Sequence, residues 1–394
     1  MNVSRAPLHG VLVVAVEHAV AAPLATRHLA DLGARVIKIE RPGGGDFARS
    51  YDTKVRGMSS HFVWLNRGKE SVVLDVKDAD HRAVLERLLD EADVFVENLA
   101  PRTAERLELA PDLVRRERHR LIACSISGYG EGGPYRDEKA YDLLIQSEAG
   151  VTALTGTPEA PAKVGIPVAD IGAGMYAFSA ILAALYTRER TGEGASLGVS
   201  LFDALAEWMS YPAYYTRYGG QAPVRAGLSH AAIAPYGPFR ARGGEEIVLA
   251  VQNDPEWRAL CREVLEEPQT ADDPRFVTND DRVANRVAVD ELLGESFARL
   301  TVDELLERLA RARIAVGRLR TVEGFLEHPA IVERDRMTSV DSPVGEIQAV
   351  LPPIDWVGQD PQMRDVPALG AHTDAVLAEF AADHPRAHAG VGDR

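Results

Sequence analysis

The feature that most limits the fold is an alternation in the first third of the chain. Short β-branched, apolar runs recur at GVLVVAVE (10–17), RVIKIE (35–40), ESVVLDV (70–76), DVFVENL (93–99) and RLIACSISG (120–128). Their length and composition predict buried strands. Between them lie helical segments: PLATRHLADLGA (23–34), stopped by Gly33, a segment over 79–91, and PDLVRRER (111–118). Strands alternating with helices predict βαβ units, hence an α/β fold built on a doubly wound parallel sheet.

The pattern changes further along. Residues 182–218 read as mostly helical, and the Gly/Pro-rich stretch YGGQAPVRAGLSH (218–230) reads as a linker. EEIVLAVQ (245–252) is strand-like, and 290–300 and 301–314 are amphipathic helices, the second opened by a capping box from Thr301 to Glu304. Strand candidates over 336–354 precede a last helix at 372–381. The expected organisation is a large doubly wound domain over 1–220, completed by the C-terminal segment 335–394, with a smaller α+β domain over 226–330.

Charge and cysteine usage remove several function classes. The 44 Lys and Arg against 59 Asp and Glu leave a net charge of −15, which disfavours nucleic-acid binding. Two cysteines in 394 residues do not make a disulfide framework or a Cys-based zinc site. The apolar run Val11–Ala25 contains Glu17, His18 and Pro23, too short and polar to span a membrane. A cytoplasmic enzyme with no membrane partner and no metal is expected.

Short motifs carry little by themselves. SISGYGEGG (125–133) follows a strand and nearly spells a dinucleotide fingerprint, but no helix clearly opens there, and the first βα turn has no glycine. RPGGGDFAR (41–49) lacks the Gly-Lys-Ser/Thr of a P-loop. His18, His28, His61 and His230 show no metal-ligand spacing and read as surface or hydrogen-bonded histidines. No Gly-x-Ser-x-Gly elbow is present. Asp170, after a short apolar run and before a helix-like pattern, reads from spacing alone as a helix N-cap.

Longer phrases say more. ATRHLADLGARVIKIERPGGGDFAR, NRGKESVVLDVK, DVFVENLAP, SISGYGEGGPY, AYDLLIQSEAGV, VGIPVADIGAGMYAFSAILAAL, RTGEGASLGVSLFDA and PYGPF occur in this order. Together they resemble the class III CoA-transferases, the CaiB/BaiF family, from about residue 8 to 380. The resemblance implies that Asp170 is a nucleophile that opens an acyl-CoA thioester as a mixed anhydride. A carboxylate is ionised at neutral pH and divides one hard transfer into easier covalent steps. Gly172 and Gly174 would let the chain approach the oxyanion closely. The matching CoA-binding positions are His18, Arg41, Asn98, Arg106, Lys139 and Tyr141. CoA is then a substrate, not a permanently bound cofactor. Two departures stand out: Val20 replaces a Gln of some relatives, and VQNDPEW (251–257) replaces a glycine-run loop.

The same fold houses α-methylacyl-CoA racemases. These need two opposed acid/base groups. Here Tyr141 stands in AYDLL where that branch carries a His, and Gln252 where it carries an acid. Transfer is therefore favoured over an epimerase and over a catalytically silent acyl-CoA-binding protein. Several phrases look most like the branch that uses succinyl-CoA and small dicarboxylates of the itaconate, mesaconate, glutarate or citramalate type. Arg225 and His230 in RAGLSH are candidates for the second carboxylate. The resemblance also implies an interlocked homodimer.

Overall fold

The computed structural model describes residues 6–356 and 360–381. Of the C-terminal segment, 357–359 and 382–394 lie outside the described residues. The chain divides into two compact units, one of Met1–Ala149, Val164–Ser210 and Glu333–Arg394, the other of Gly150–Lys163 and Tyr211–Val332.

The larger unit holds six parallel strands: β1 (Leu12–Val16), β2 (Arg35–Glu40), β3 (Lys69–Val73), β4 (Val94–Glu97), β5 (Ile122–Ser127) and β6 (Ser196–Ser200). Their spatial order is β3-β2-β1-β4-β5-β6. Val13 pairs with Val36 on one side and Val94 on the other, and Val13, Val14 and Ala15 are fully buried. That is the cost-free position for an uninterrupted β-branched run. β6 was not anticipated. Its sequence, SLGVS, has little apolar signal because it forms the sheet edge and is half exposed. At the other edge, Thr373 and His372 accept N–H bonds from Val73 and Ser71, so the helix Thr373–Glu379 covers the open side of β3.

The helices of this unit that matter here are α1 (Ala21–Asp31), α2 (Ser60–Asn66), α3 (Ala79–Glu91), α4 (Pro101–Arg106), α5 (Pro111–Val114), α6 (Asp142–Glu148), α7 (Val168–Thr191) and α8 (Leu201–Trp208). α3 shows ordinary amphipathy: Asp78 caps it, and Val84, Leu85, Leu88 and Leu89 are buried in one cluster with Val72, Leu74 and Phe95. α1 is buried along its whole length, including Arg27 and Asp31, and Asp31 pairs with both Arg27 and Arg67. α7 is long and apolar enough to cross a membrane by length and composition. Here it is a core helix: Gly172, Ala173, Gly174, Ala177 and Ile181 are buried. Gly192, in the left-handed region, ends it.

The smaller unit is α+β. β7 (Tyr236–Arg240), β8 (Glu246–Ala250) and β9 (Ala315–Arg318) form an antiparallel sheet. Its core gathers Trp257, Leu293, Phe297 and Leu305. The capping box of Thr301 and Glu304 forms at the start of the helix Val302–Arg311. Residues 220–235 carry no helix or strand.

Candidate active site

The strand order turns between β1 and β4. In open α/β sheets, ligands bind in the crevice outside the carboxyl ends of the strands at such a point. A cavity of about 560 Å³ opens there in the larger unit. That volume suits a small-molecule site.

The floor is assembled by hydrogen bonds that the two strand ends exchange. Asn98 accepts the His18 N–H at 2.9 Å and donates from its amide to the His18 carbonyl at 2.8 Å, tying the end of β4 to the end of β1. The next residue, Ala19, has a φ of 62°, a conformation that costs energy for a residue with a Cβ. Asp46 holds it there. One Asp46 oxygen accepts the N–H of Ala19 and of Ala48, and the other accepts Lys38 Nζ at 2.7 Å. Beneath lie Glu17 and Lys69, 2.6 Å apart and fully buried. Burial opposes the charge on Glu17, but Lys69 and Lys38 more than offset this and hold its carboxyl below the ordinary range. Burial takes Lys69 down to about 7. The His18 ring packs on Phe47 at 4.7 Å, and its buried Nδ1 has no hydrogen-bond partner among the described residues. Glu97, at the end of β4, is buried with Oε1 unpartnered, and burial raises its carboxyl to about 7.

Asp170 sits on the cavity wall at the third residue of α7. It is not an N-cap. Pro167 holds that position, and Asp142 does the capping, with one oxygen accepting the Ala169 N–H at 2.8 Å and the other accepting Gln146 Nε2 at 2.7 Å. The Asp170 carboxyl is therefore left for other work. Burial, then the nearby charge of Asp142, raises it to about 7. Gly172 and Gly174 have a different use from the one expected. A Cβ on Gly174 would stand 2.6 Å from the carbonyl oxygen of Ala21, and one on Gly172 would stand 3.2 Å from the Trp208 ring. They let α7 lie against α1 and α8, and so fix where Asp170 points.

Of the CoA-binding positions expected from the sequence, His18, Asn98, Lys139 and Tyr141 line the same cavity as Asp170. Arg41 and Arg106 do not. Arg41 is exposed and donates to the Gly45 carbonyl at 2.9 Å. Arg106 lines a separate cavity of about 350 Å³ with Lys77 and Arg82. Arg225 and His230 belong to the smaller unit. Arg225 donates to the carbonyls of Thr157, Ala153 and Pro158, while His230 accepts the Ala232 N–H and stacks on Tyr236. Val20 is buried and reaches the cavity wall. The glycine-rich stretch after β5 opens no helix. Instead Gly128 lets the returning chain come close, since a Cβ there would meet the Ala140 methyl at 2.3 Å. In the 251–257 stretch, Asn253 caps the helix Asp254–Ala259.

The wall residues missed from the sequence include Tyr51, His61 and Asp142. Asp142 had a faint signal, an acid opening a helix in AYDLL. Tyr51 and His61 lie in a loop and a short helix far from Asp170 in sequence, and only the fold brings them round. Among the described residues no group of three or more His, Cys, Asp or Glu side chains is placed to hold a metal.

Comparison with known proteins identifies the family. Residues 8–373 match the model of CoA-transferase family III. The chain is 36% identical over 382 residues to the acetyl-CoA:oxalate CoA-transferase of Acetobacter aceti, covering 96% of this chain and 97% of that protein. It is 33% identical over 387 residues to the succinate–glutarate CoA-transferase of Agrobacterium fabrum, covering 95% and 96%. The crystal structure of a CAIB/BAIF family protein from Brucella suis superposes with a TM-score of 0.83 at 34% identity, over 95% of this chain and all of that one. A doubly wound sheet, and likeness over nearly the full length, lead to one assignment: the chain belongs to CoA-transferase family III.

Proposed function

We propose that this transferase moves CoA from succinyl-CoA to a small dicarboxylic acid through covalent intermediates on Asp170. The observation that supports this most is the Asp170 carboxyl itself. It accepts no hydrogen bond among the described residues, faces a cavity of about 560 Å³ and is held near 7, so ionised and protonated forms are both populated at neutral pH. A carboxylate that is poorly solvated and unbonded is a stronger nucleophile than one in water.

Asp170 attacks the thioester carbonyl, the C–S bond breaks, and CoA leaves as thiolate. The thiolate attacks the aspartyl carbonyl of the anhydride, which frees the donor's acid and leaves an aspartyl–CoA thioester. The acceptor carboxylate displaces CoA from that thioester, giving a second anhydride. The thiolate then attacks its acyl side, forming the new acyl-CoA and restoring Asp170. Each step exchanges one oxygen–acyl or sulfur–acyl bond for another, with no net proton or electron required. His18, Asn98, Lys139 and Tyr141 lie where the CoA arm would pass, with Arg41 and Arg106 beyond the cavity as candidates for its phosphates.

The acceptors in the two relatives' names, oxalate and glutarate, are both dicarboxylates. The name of the Acetobacter relative supports acetyl-CoA as the rival donor. Exposed Met175, Tyr176, Tyr186 and Trp208 on α7 and α8 leave an apolar face that suits the expected interlocked dimer, which would sediment as a dimer at micromolar concentration. The decisive experiment incubates the protein with succinyl-CoA or acetyl-CoA, adds hydroxylamine and maps the adduct by mass spectrometry. A hydroxamate on Asp170 is expected. No adduct, with deuterium exchange at the α-carbon instead, would mean epimerase chemistry.

A further inference from the structure

One wall of the cavity is a ladder of rings that runs on from His18. His18 packs on Phe47, Phe47 on Tyr51 at 5.7 Å, and Tyr51 meets His61 edge-on at 5.4 Å. Tyr51 lies close enough to the reacting end for Asp46, Asp170 and Tyr141 to add to the burial that raises its phenol to about 12. His61 is the next ring along this ladder, on the wall of the same cavity.

The two nitrogens of His61 are in different surroundings. Nδ1 is buried, makes no hydrogen bond and lies 3.7 Å from an Asp52 oxygen. Asp52 is a settled carboxylate: the Lys54 N–H at 2.9 Å and the Ser60 hydroxyl at 2.7 Å and N–H at 3.1 Å hold it well below the usual range. Nε2 is the accessible nitrogen. An anion reaching Nε2 would lie across the ring from the Asp52 carboxylate, so that the imidazole bridges two acids.

Two other cationic side chains line this cavity, Lys139 and Arg136, and Lys139 is the one placed above along the CoA arm. Arg136 is paired with Glu105, Glu131 and Asp137. The guanidinium of Arg225 is spent on backbone carbonyls of the smaller unit.

We propose that His61, oriented by Asp52, receives the distal carboxylate of the acceptor while its proximal carboxylate reacts at Asp170. The inference rests on the dicarboxylate-transferase reading above. It makes His61 a specificity residue and Asp52 a positioning residue. The chain length between the two acceptor carboxylates would then be selected by the width of the Tyr51 ring.

The test compares glutarate with valerate, which lacks only the second carboxylate, as acceptors for wild type, His61→Gln and His61→Phe. Wild type should prefer glutarate. Both variants should raise KM for glutarate by about ten- to a hundredfold, the effect of losing one charge-assisted hydrogen bond. kcat and the KM for valerate should change little. Asp52→Asn should give a smaller rise in the glutarate KM, also without loss for valerate. A variant pair that keeps the glutarate preference would overturn the role of His61 alone. A wild-type protein that forms the Asp170 adduct but transfers CoA to valerate as readily as to glutarate would overturn the dicarboxylate reading and this proposal with it.

Discussion

Replacing Asp170 by Asn should abolish transfer and at the same time stabilise the unliganded protein. The folded chain raises this carboxyl from 3.8 to about 7, first through burial and then through Asp142. A folded-state value above the unfolded one means that the folded chain holds the proton more tightly, so ionisation opposes folding. The penalty is absent below the unfolded value, grows as pH rises from about 4 to 7, and is complete above 7. At about 1.4 kcal/mol per pH unit the displacement corresponds to roughly 4 kcal/mol at pH 8, falling to roughly 2 at pH 5.5. The carboxyl is partly open to the cavity, so these are upper figures. Asn has nearly the same shape and no charge. Its thermal midpoint should therefore exceed that of wild type by several degrees at pH 8 and by about half as much at pH 5.5. Scanning calorimetry on both proteins without CoA esters at the two pH values reads this directly. Equal midpoints at pH 8, or a gain that grows toward acid, would refute the idea that the nucleophile is held in a disfavoured charge state.

Further tests address the surroundings of that carboxyl. Asp142→Asn keeps an oxygen to cap Ala169 but removes the nearby charge, so the acid limb of the kcat/KM profile should move to lower pH. Gly174→Ala places a methyl 2.6 Å from a backbone oxygen of α1 and should cost about 1–3 kcal/mol in urea unfolding, whereas Gly172→Ala, facing the movable Trp208 ring, should cost less. Arg41→Ala and Arg106→Ala should raise the KM for succinyl-CoA about ten- to a hundredfold with little change in kcat, since neither lines the cavity that holds Asp170. An unchanged KM in both would move the phosphate anchor to Lys139.

The sheet was legible in the sequence because its central strands are buried on both faces. Val13, Val14 and Ala15 have no solvated side to alternate with, so the run is continuously apolar. The amphipathic helices α3 and Val302–Arg311 were legible for the complementary reason, since one face of each meets water. β6 was not, because an edge strand of Ser, Leu, Gly and Val has no distinct pattern. The family resemblance marked Asp170, His18, Asn98, Lys139 and Tyr141, which the fold brings to one cavity, and Arg41 and Arg106, which lie outside it. Spacing could not tell whether Asp170 caps a helix, because the residue that does so, Asp142, lies 27 positions before the Ala169 N–H that it accepts. Nor could it show that Gly172 and Gly174 serve helix packing, or that Tyr51 and His61 line the same cavity as Asp170. Local pattern reports which side of an element is buried. Which side chains then share a pocket depends on how the elements cross, and that is decided only when the chain has closed on itself.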